Sequence, residues 1–298
     1  MKLTFFRGDR PNFGDELNLF MWPRLLPEGF LDEDERELFV GIGSIILDSY
    51  PKESRKYVVG SGYGGYTARP DMHDGSWETI FVRGPLTARM LDLPPEKSIC
   101  DSAVLLRNLE LPGAREDVGT AFMPHFESLE SGNWREACRM AGIRFIDPTD
   151  PVEKVIAELR GAKMLISEAM HGVIVADALR TPWVAVRPSH PKHHMKWRDW
   201  AEALSVDLRQ HRLWPSSALE VLMQVHGRGD HGGRGGRVNR AVAMRPVNHL
   251  LTYLAAQRLR QLETQEPMLS SDRAISEVTE RASKALAAFV EAGRSRHG

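Results

Sequence analysis

Residues 164–188, MLISEAMHGVIVADALRTPWVAVRP, hold the pattern that decides the fold. Met164 to Ile166 is a short apolar run of strand type, closed by Ser167 and Glu168. Val173 to Leu179 then carries apolar residues at helical spacing until Thr181-Pro182 breaks the pattern. His171 and Gly172 therefore fall at a strand-to-helix junction. Backbone N–H groups at a helix start are unpaired and the helix dipole there favours negative charge, so a His-Gly pair at such a turn can face an anionic ligand. A histidine that only caps or hydrogen-bonds the turn fits the same letters. Residues elsewhere in the chain have to decide.

Outward from this stretch, strand and helix patterns alternate in both directions. Lys2–Phe6, Leu38–Gly43, Tyr57 into the glycine-rich turn ending at Gly65, Thr79–Arg83 and Ile99–Leu106 read as strands of a first half. A polar break from Leu111 to Glu116 separates them from strands at Val118–Met123 and Ile143–Ile146, and from the quoted stretch. Helices are expected at Trp134–Ala141 and after Asp150-Pro151-Val152-Glu153, which combines an N-cap, proline at the first position and an early acidic residue. This alternation predicts an α/β protein with two parallel domains, 1–113 and 114–215, each with its own core and facing a cleft at the strand carboxyl ends. Residues 216–298 are expected to be C-terminal helices. A helix through Leu250, Tyr253, Leu254 and Leu259–Leu262 would cross back to the first half, and an Ala-rich helix over 271–292 would offer an oligomer contact. Between them, residues 226–237 (HGRGDHGGRGGR) form a basic low-complexity loop.

The 298 residues are 42% hydrophobic and 27% charged, as in soluble globular proteins. Lys and Arg, 39 together, nearly cancel 40 Asp and Glu, so no polyanionic partner is demanded and nucleic acid is not expected. Any anion must be held by a local cluster. Cys100 and Cys138 lie too far apart for a metal-ligand spacing and read as buried thiols of a reducing compartment. Leu3 to Phe6 is too short for a signal-peptide core and no apolar run approaches about eighteen residues, so the expected location is cytoplasmic, with peripheral contact at the inner face of the membrane left open. His190, Lys192, His193, His194, Lys196 and Arg198 crowd one segment. No Cys or spaced carboxylate completes a tetrahedral set there, so no metal is expected, and Trp197, Trp200 and Leu204 read as a core face.

Candidate site residues sit at the ends of the predicted strands. Asn12, Gly14 and Asp15 occupy a strand-to-helix loop, where the same letters also make a turn and a cap. Gly60, Ser61, Gly62, Gly64 and Gly65 would let backbone N–H groups approach a phosphate or carboxylate, though they match neither G-x-G-x-x-G nor a P-loop, and tight turns use the same glycines. Arg83, between a strand and Gly84-Pro85, offers a planar fork for either anion. His125 and Glu127 follow the first strand of the second half, and Glu168 precedes His171.

Six segments, in order, carry a family resemblance: Asn12-Phe13-Gly14-Asp15, Gly41-Ile42-Gly43-Ser44, Gly60-Ser61-Gly62, Val82-Arg83-Gly84-Pro85-Leu86-Thr87, Cys100-Asp101-Ser102-Ala103-Val104-Leu105-Leu106 and Ser167-Glu168-Ala169-Met170-His171-Gly172. Over roughly residues 1–210 the chain resembles the polysaccharide pyruvyl transferase family, most of all its exopolysaccharide ketal-forming branch of succinoglycan type. The resemblance implies a GT-B-like pair of Rossmann-like domains, phosphoenolpyruvate as donor without a cofactor, and a sugar of a lipid-linked or polymeric glycan as acceptor. The product would be a pyruvate ketal bridging two hydroxyls. Arg83 and the pair His171-Gly172 match family positions associated with the donor. Such a reaction needs a proton delivered to the methylene carbon and another removed from the attacking hydroxyl. His171 is the candidate for proton transfer, with Asp15 and Glu127 beside it; Arg83, Gly172, Arg187, Lys196, Ser61 and Gly62 are candidates for the donor, and Asn12, His125 and Glu168 for the acceptor.

In one respect the chain departs from the pattern. The family's Ser-x-Arg-x-His-Gly has Ala169 in place of arginine, and Arg187, Lys192 or Lys196 would have to supply the missing charge. Two other readings remain open on the same fold: a GT-B-type glycosyltransferase using a nucleotide sugar, and a non-catalytic glycan-assembly protein.

Overall fold

The computed structural model describes residues 1–188, 193–226 and 244–297. Its first sheet is assembled from β1 (Lys2–Thr4), followed by helix α1 (Phe13–Leu25), then β2 (Glu37–Val40), β3 (Arg55–Val59) and β4 (Trp77–Phe81), with α2 (Pro85–Met90) next. These strands lie in sequence order and pair in parallel. The second sheet takes β5 (Gly119–Met123), the helices α3 (Ser128–Ser131) and α4 (Trp134–Ala141), β6 (Arg144–Phe145), α5 (Val152–Gly161), β7 (Ala162–Ser167), α6 (Met170–Ala178), β8 (Trp183–Val186), α7 (His193–Ala203) and β9 (Gln210–His211). Its order is β6-β5-β7-β8-β9, again all parallel. Parallel strands covered by helices on both faces need continuous apolar runs rather than alternation, which is how β2, β3, β7 and β8 read. This is a mixed α/β protein of Rossmann-like character, and the strand order of the second sheet reverses between β5 and β7. Crevices beyond the carboxyl ends of strands at such a reversal are where ligands bind in open α/β sheets.

Three expectations are corrected. Ile99–Leu106 is not a strand: the segment Ser102–Asn108 winds as a 3-10 helix, started by the Asp101 carboxylate accepting the Ala103 N–H at 3.0 Å. An apolar run buried on all sides carries no period, so its letters did not separate strand from helix. Each half keeps a core cluster of its own, but the halves are not held by these alone. One hydrophobic cluster takes Phe39, Val59 and Phe81 from the first sheet and Ala121, Leu165 and Ala185 from the second, joined through Val104, Leu105, Val173 and Val175. The third correction concerns the C-terminal helices α8 (Ala218–His226), α9 (Arg245–Glu263) and α10 (Asp272–His297). The helix through Leu250–Leu262 stays on the second sheet, where Ala255, Ala256, Leu259 and Leu262 meet Phe122, Ile166 and Val184. It is α10 that returns to the first sheet, setting the Phe289 ring against Phe30, Phe39 and Tyr57.

Other expectations hold as written. Trp197, Trp200 and Leu204 are buried on one face of α7, and both cysteines are buried free thiols. No helix among the described residues is long and apolar enough to cross a membrane. Lys192 and most of the Gly/Arg tract of residues 226–237 lie outside the described residues.

Candidate active site

At the junction that opened the sequence reading, β7 ends on Ser167 and Ala169 occupies the N-cap of α6, placing His171 in its first turn. The Ser167 hydroxyl shapes the turn, donating to the Met123 carbonyl and accepting the Ala169 N–H. A side chain at Gly172 would press on Met123 Sδ and Ser167 Oγ, which fixes glycine there by packing. Glu168 is buried and clamps the loop after β5: it accepts the His125 N–H at 3.0 Å and the Ser128 hydroxyl at 2.7 Å. The carboxylate expected to meet an acceptor thus ties together the two sides of the strand-order reversal.

The His171 ring lies between two elements of the first half. On one side its Nε2 sits 3.6 Å from Asp101 Oδ2. On the other it covers Gly14, where an added Cβ would come within 2.1 Å of Nδ1. Gly14 is the second residue of α1 and its backbone is not in the left-handed region, so it is the imidazole packed on it, and not the backbone conformation, that calls for glycine. Gly14→Ala is therefore expected to displace the His171 ring and lower the thermal midpoint, which circular dichroism melts would read. Next to Gly14, Asp15 receives a 2.7 Å hydrogen bond from Asn12 Nδ2. Burial pushes the Asp15 carboxyl upward, while the Asn12 donor and the positive charges of His171 and Lys196 pull against that rise.

Arg83 emerges beyond β4 as expected, but wholly buried. Its Nε donates to Asp199 Oδ2 at 3.1 Å and its Nη1 to the Ser44 hydroxyl at 2.6 Å, and Nη2 is buried without a hydrogen-bond partner among the described residues. Asp199 also accepts the Thr87 N–H and hydroxyl, so α7 is held on the first turn of α2. The guanidinium lies flat on Gly62, where a Cβ would fall 2.2 Å from Cζ and Nη2. Gly62 donates its own N–H to the Gly43 carbonyl, and Ser61 donates its hydroxyl to the same oxygen. These two residues therefore make room for Arg83 and brace it; their groups are used within the fold. One helical turn before Asp199, Lys196 is only partly exposed, and burial together with the nearby Arg83 cation pushes its ammonium down to about 8, against the opposing pull of Asp15.

The structure thus gathers Asn12, Asp15, Arg83, His171 and Lys196 into one electrostatic cluster, and adds Ser44, Asp101 and Asp199, which the sequence reading did not assign. Tyr66 belongs with them: burial raises its phenol, with Arg83 lowering and Asp15 raising it further. From Tyr66 a row of rings runs to His193 at 6.3 Å and on to His125 at 5.1 Å, and His125 Nδ1 lies 3.5 Å from Glu127. His125 and Glu127 therefore flank the cluster. Arg187 is exposed just beyond β8, the strand that pairs with β7 through Ala185 and Ser167. Ala169 itself packs into the core. A surface groove of about 510 Å³, lined by Arg10, Trp134 and Phe145 among others, lies behind the loop that carries Asn12, and none of the five clustered residues lines it.

A buried arginine and a histidine from opposite sheets share one cluster beyond the strand carboxyl ends with a lysine whose ammonium burial pushes down to about 8. The polysaccharide pyruvyl transferase family model matches residues 22–190, and the chain belongs to that family of transferases. It is 40% identical over 227 residues to the succinoglycan biosynthesis protein ExoV of Rhizobium meliloti (strain 1021), an alignment covering 75% of this chain and 71% of that protein. No solved structure matches the chain. Arg83 and His171 fall inside the matched segment, whereas Asn12, Asp15 and Lys196 fall outside it.

Proposed function

We propose that the protein transfers the pyruvyl group of phosphoenolpyruvate onto two hydroxyls of a sugar during exopolysaccharide synthesis, forming a ketal and releasing phosphate. The reading rests on one observation above all: Arg83 Nη2, buried without a hydrogen-bond partner among the described residues, in a cluster with Lys196 and His171. A buried cationic donor with no acceptor is costly, and an anion's oxygen in that place would satisfy it. In the proposed reaction one sugar hydroxyl adds to C2 of phosphoenolpyruvate while the methylene carbon takes a proton and becomes methyl. The bond from C2 to the phosphate oxygen then breaks, the second hydroxyl closes on C2, and its proton leaves with phosphate. His171 carries protons, Asp15 and Asn12 engage an acceptor hydroxyl, and Arg83 with Lys196 holds the donor carboxylate and phosphate. His125 and Glu127 extend the acceptor side, Arg187 supplies charge at the rim, and Ser61, Gly62 and Gly172 shape the walls.

In this reading Lys196 takes over the charge that Ala169 lacks, and the two sheets act as the halves of a GT-B-like pair, with residues 1–113 and 114–215 as domains. No cofactor takes part, the acceptor is a lipid-linked or polymeric glycan, and the location is cytoplasmic at the inner membrane face. Lys196 gives a pH signature. Its ammonium holds an anion only while protonated, so kcat/KM for phosphoenolpyruvate should fall as pH rises through about 8. Lys196→Gln should lower kcat/KM at pH 7 and flatten that limb; an unchanged limb in the variant would reject the assignment. The function itself is tested by thermal-shift titration with phosphoenolpyruvate against a panel of nucleotide sugars, followed by phosphate release with glycan acceptors. Stabilisation by nucleotide sugars alone would favour a glycosyltransferase, and the absence of any donor response a non-catalytic assembly role.

A further inference from the structure

We infer that Asp101 is a positioning residue that fixes the tautomer of His171, keeping the proton on Nε2 and leaving Nδ1 as the nitrogen that exchanges protons in the site. Its catalytic consequence rests on the pyruvyl-transfer reading; the pairing itself does not. Asp101 is completely buried. Its Oδ1 accepts the Ala103 N–H that starts the 3-10 helix over 102–108, which leaves Oδ2 buried without a hydrogen-bond partner among the described residues. His171 Nε2 is likewise buried and unpartnered, and these two atoms face each other across 3.6 Å. That is longer than a hydrogen bond, and hydrogen bonds in unliganded catalytic sites commonly tighten only when substrate arrives. Two buried polar atoms that face each other and have no other hydrogen bond among the described residues each lack the partner that burial demands, and an N–H on Nε2 satisfies both.

The other ring nitrogen has a different setting. Nδ1 lies over Gly14 at the start of α1, and the next residue, Asp15, feels the charges of both His171 and Lys196. With the proton held on Nε2, Nδ1 presents a lone pair that can take the proton of an attacking hydroxyl. The imidazolium so formed carries its charge beside the Asp101 carboxylate, and Nδ1 can return the same proton. Asp101 touches neither donor nor acceptor in this arrangement; it acts through the ring.

Asp101→Asn separates this role from a purely structural one. Asparagine caps a helix start about as well as aspartate, so Oδ1 can keep the Ala103 N–H and the thermal midpoint should stay within a few degrees. The amide NH2 would then face Nε2 as a donor and drive the ring proton to Nδ1. The same carboxylate-to-amide change in serine protease triads costs about 10⁴ in kcat through the wrong tautomer. Here kcat should fall about 10²–10⁴-fold, with KM for phosphoenolpyruvate within about threefold of wild type. In full-length protein labelled with ¹⁵N-histidine, two-bond ¹H–¹⁵N correlations should show His171 protonated on Nε2 in wild type and on Nδ1 in Asp101→Asn, with the signal assigned by His171→Gln. A wild-type His171 protonated on Nδ1 overturns the inference, as does a variant in which the tautomer or kcat fails to change. If Asp101→Asn does not fold, the wild-type tautomer alone decides. A wild type that carries the Nε2 proton yet releases no phosphate with any acceptor leaves the pairing standing and removes the proposed reaction.

Discussion

Phosphate release from phosphoenolpyruvate should fall by about 10²–10⁴-fold, the range of general acid–base catalysis, when His171 is replaced by alanine. The protein should remain folded at a lower thermal midpoint, because the turn keeps its own hydrogen bonds while the buried Asp101 Oδ2 loses the ring nitrogen that faces it. Asp101 keeps the Ala103 N–H, and Asp15 keeps Asn12. The histidine sits on a turn whose shape depends on Ser167, Glu168 and Gly172, none of which uses the imidazole. Donor binding should persist, since Arg83 and Lys196 are untouched. Thermal melts, a titration with phosphoenolpyruvate and a phosphate-release assay on the one variant therefore separate chemistry from binding and from folding. A variant with turnover within threefold of wild type would sink the role of His171.

The second large effect belongs to Arg83, and it has two components. Replacing Arg83 by methionine removes a donor group and also strips the buried Asp199 of its cation, and breaking one side of a buried pair costs about 3–5 kcal/mol. The single variant is thus expected to unfold at markedly lower denaturant, which by itself would say nothing about the donor. Adding Asp199→Asn removes the orphaned charge. The asparagine oxygen can still accept the Thr87 N–H, and its amide can donate to the Thr87 hydroxyl, keeping α7 on α2. The double variant should recover most of the lost stability and still show no stabilisation by phosphoenolpyruvate. Wild-type donor affinity in that double variant would mean that Nη2 has no part in the site.

Most secondary elements were legible because their signals are local. The strand-to-helix junction at Ser167–Gly172, the start of α5 just after Asp150-Pro151 and the buried face Trp197, Trp200 and Leu204 all follow from spacing within a few residues, although Pro151, not Asp150, is the α5 N-cap and no side chain caps that helix. The segment after Asp101 was misread because an apolar run with no polar face has no period to distinguish helix from strand. Arg83 and His171 were legible as candidates through residue type and place. Their surroundings were not, because Asp199 lies 116 positions from Arg83 and Asp101 lies 70 before His171. Nothing local to Ser61, Gly62 or Glu168 tells whether their polar groups are open to a ligand, and packing used them inside the fold.

By itself the sequence determined the alternation of strands and helices, the strand ends that carry polar residues, and the family to which the chain belongs, since each is written in neighbouring residues or in ordered motifs. Only the tertiary structure decided which candidates meet. It set His171 between Asp101 and Gly14, left Arg83 with one nitrogen above Gly62 that has no hydrogen bond among the described residues, and crowded Lys196 beside it until burial lowered its ammonium to about 8. The physical reason is that hydrogen bonding and desolvation act over a few ångströms in space, and the chain brings residues that close only after both sheets have packed on their shared core cluster.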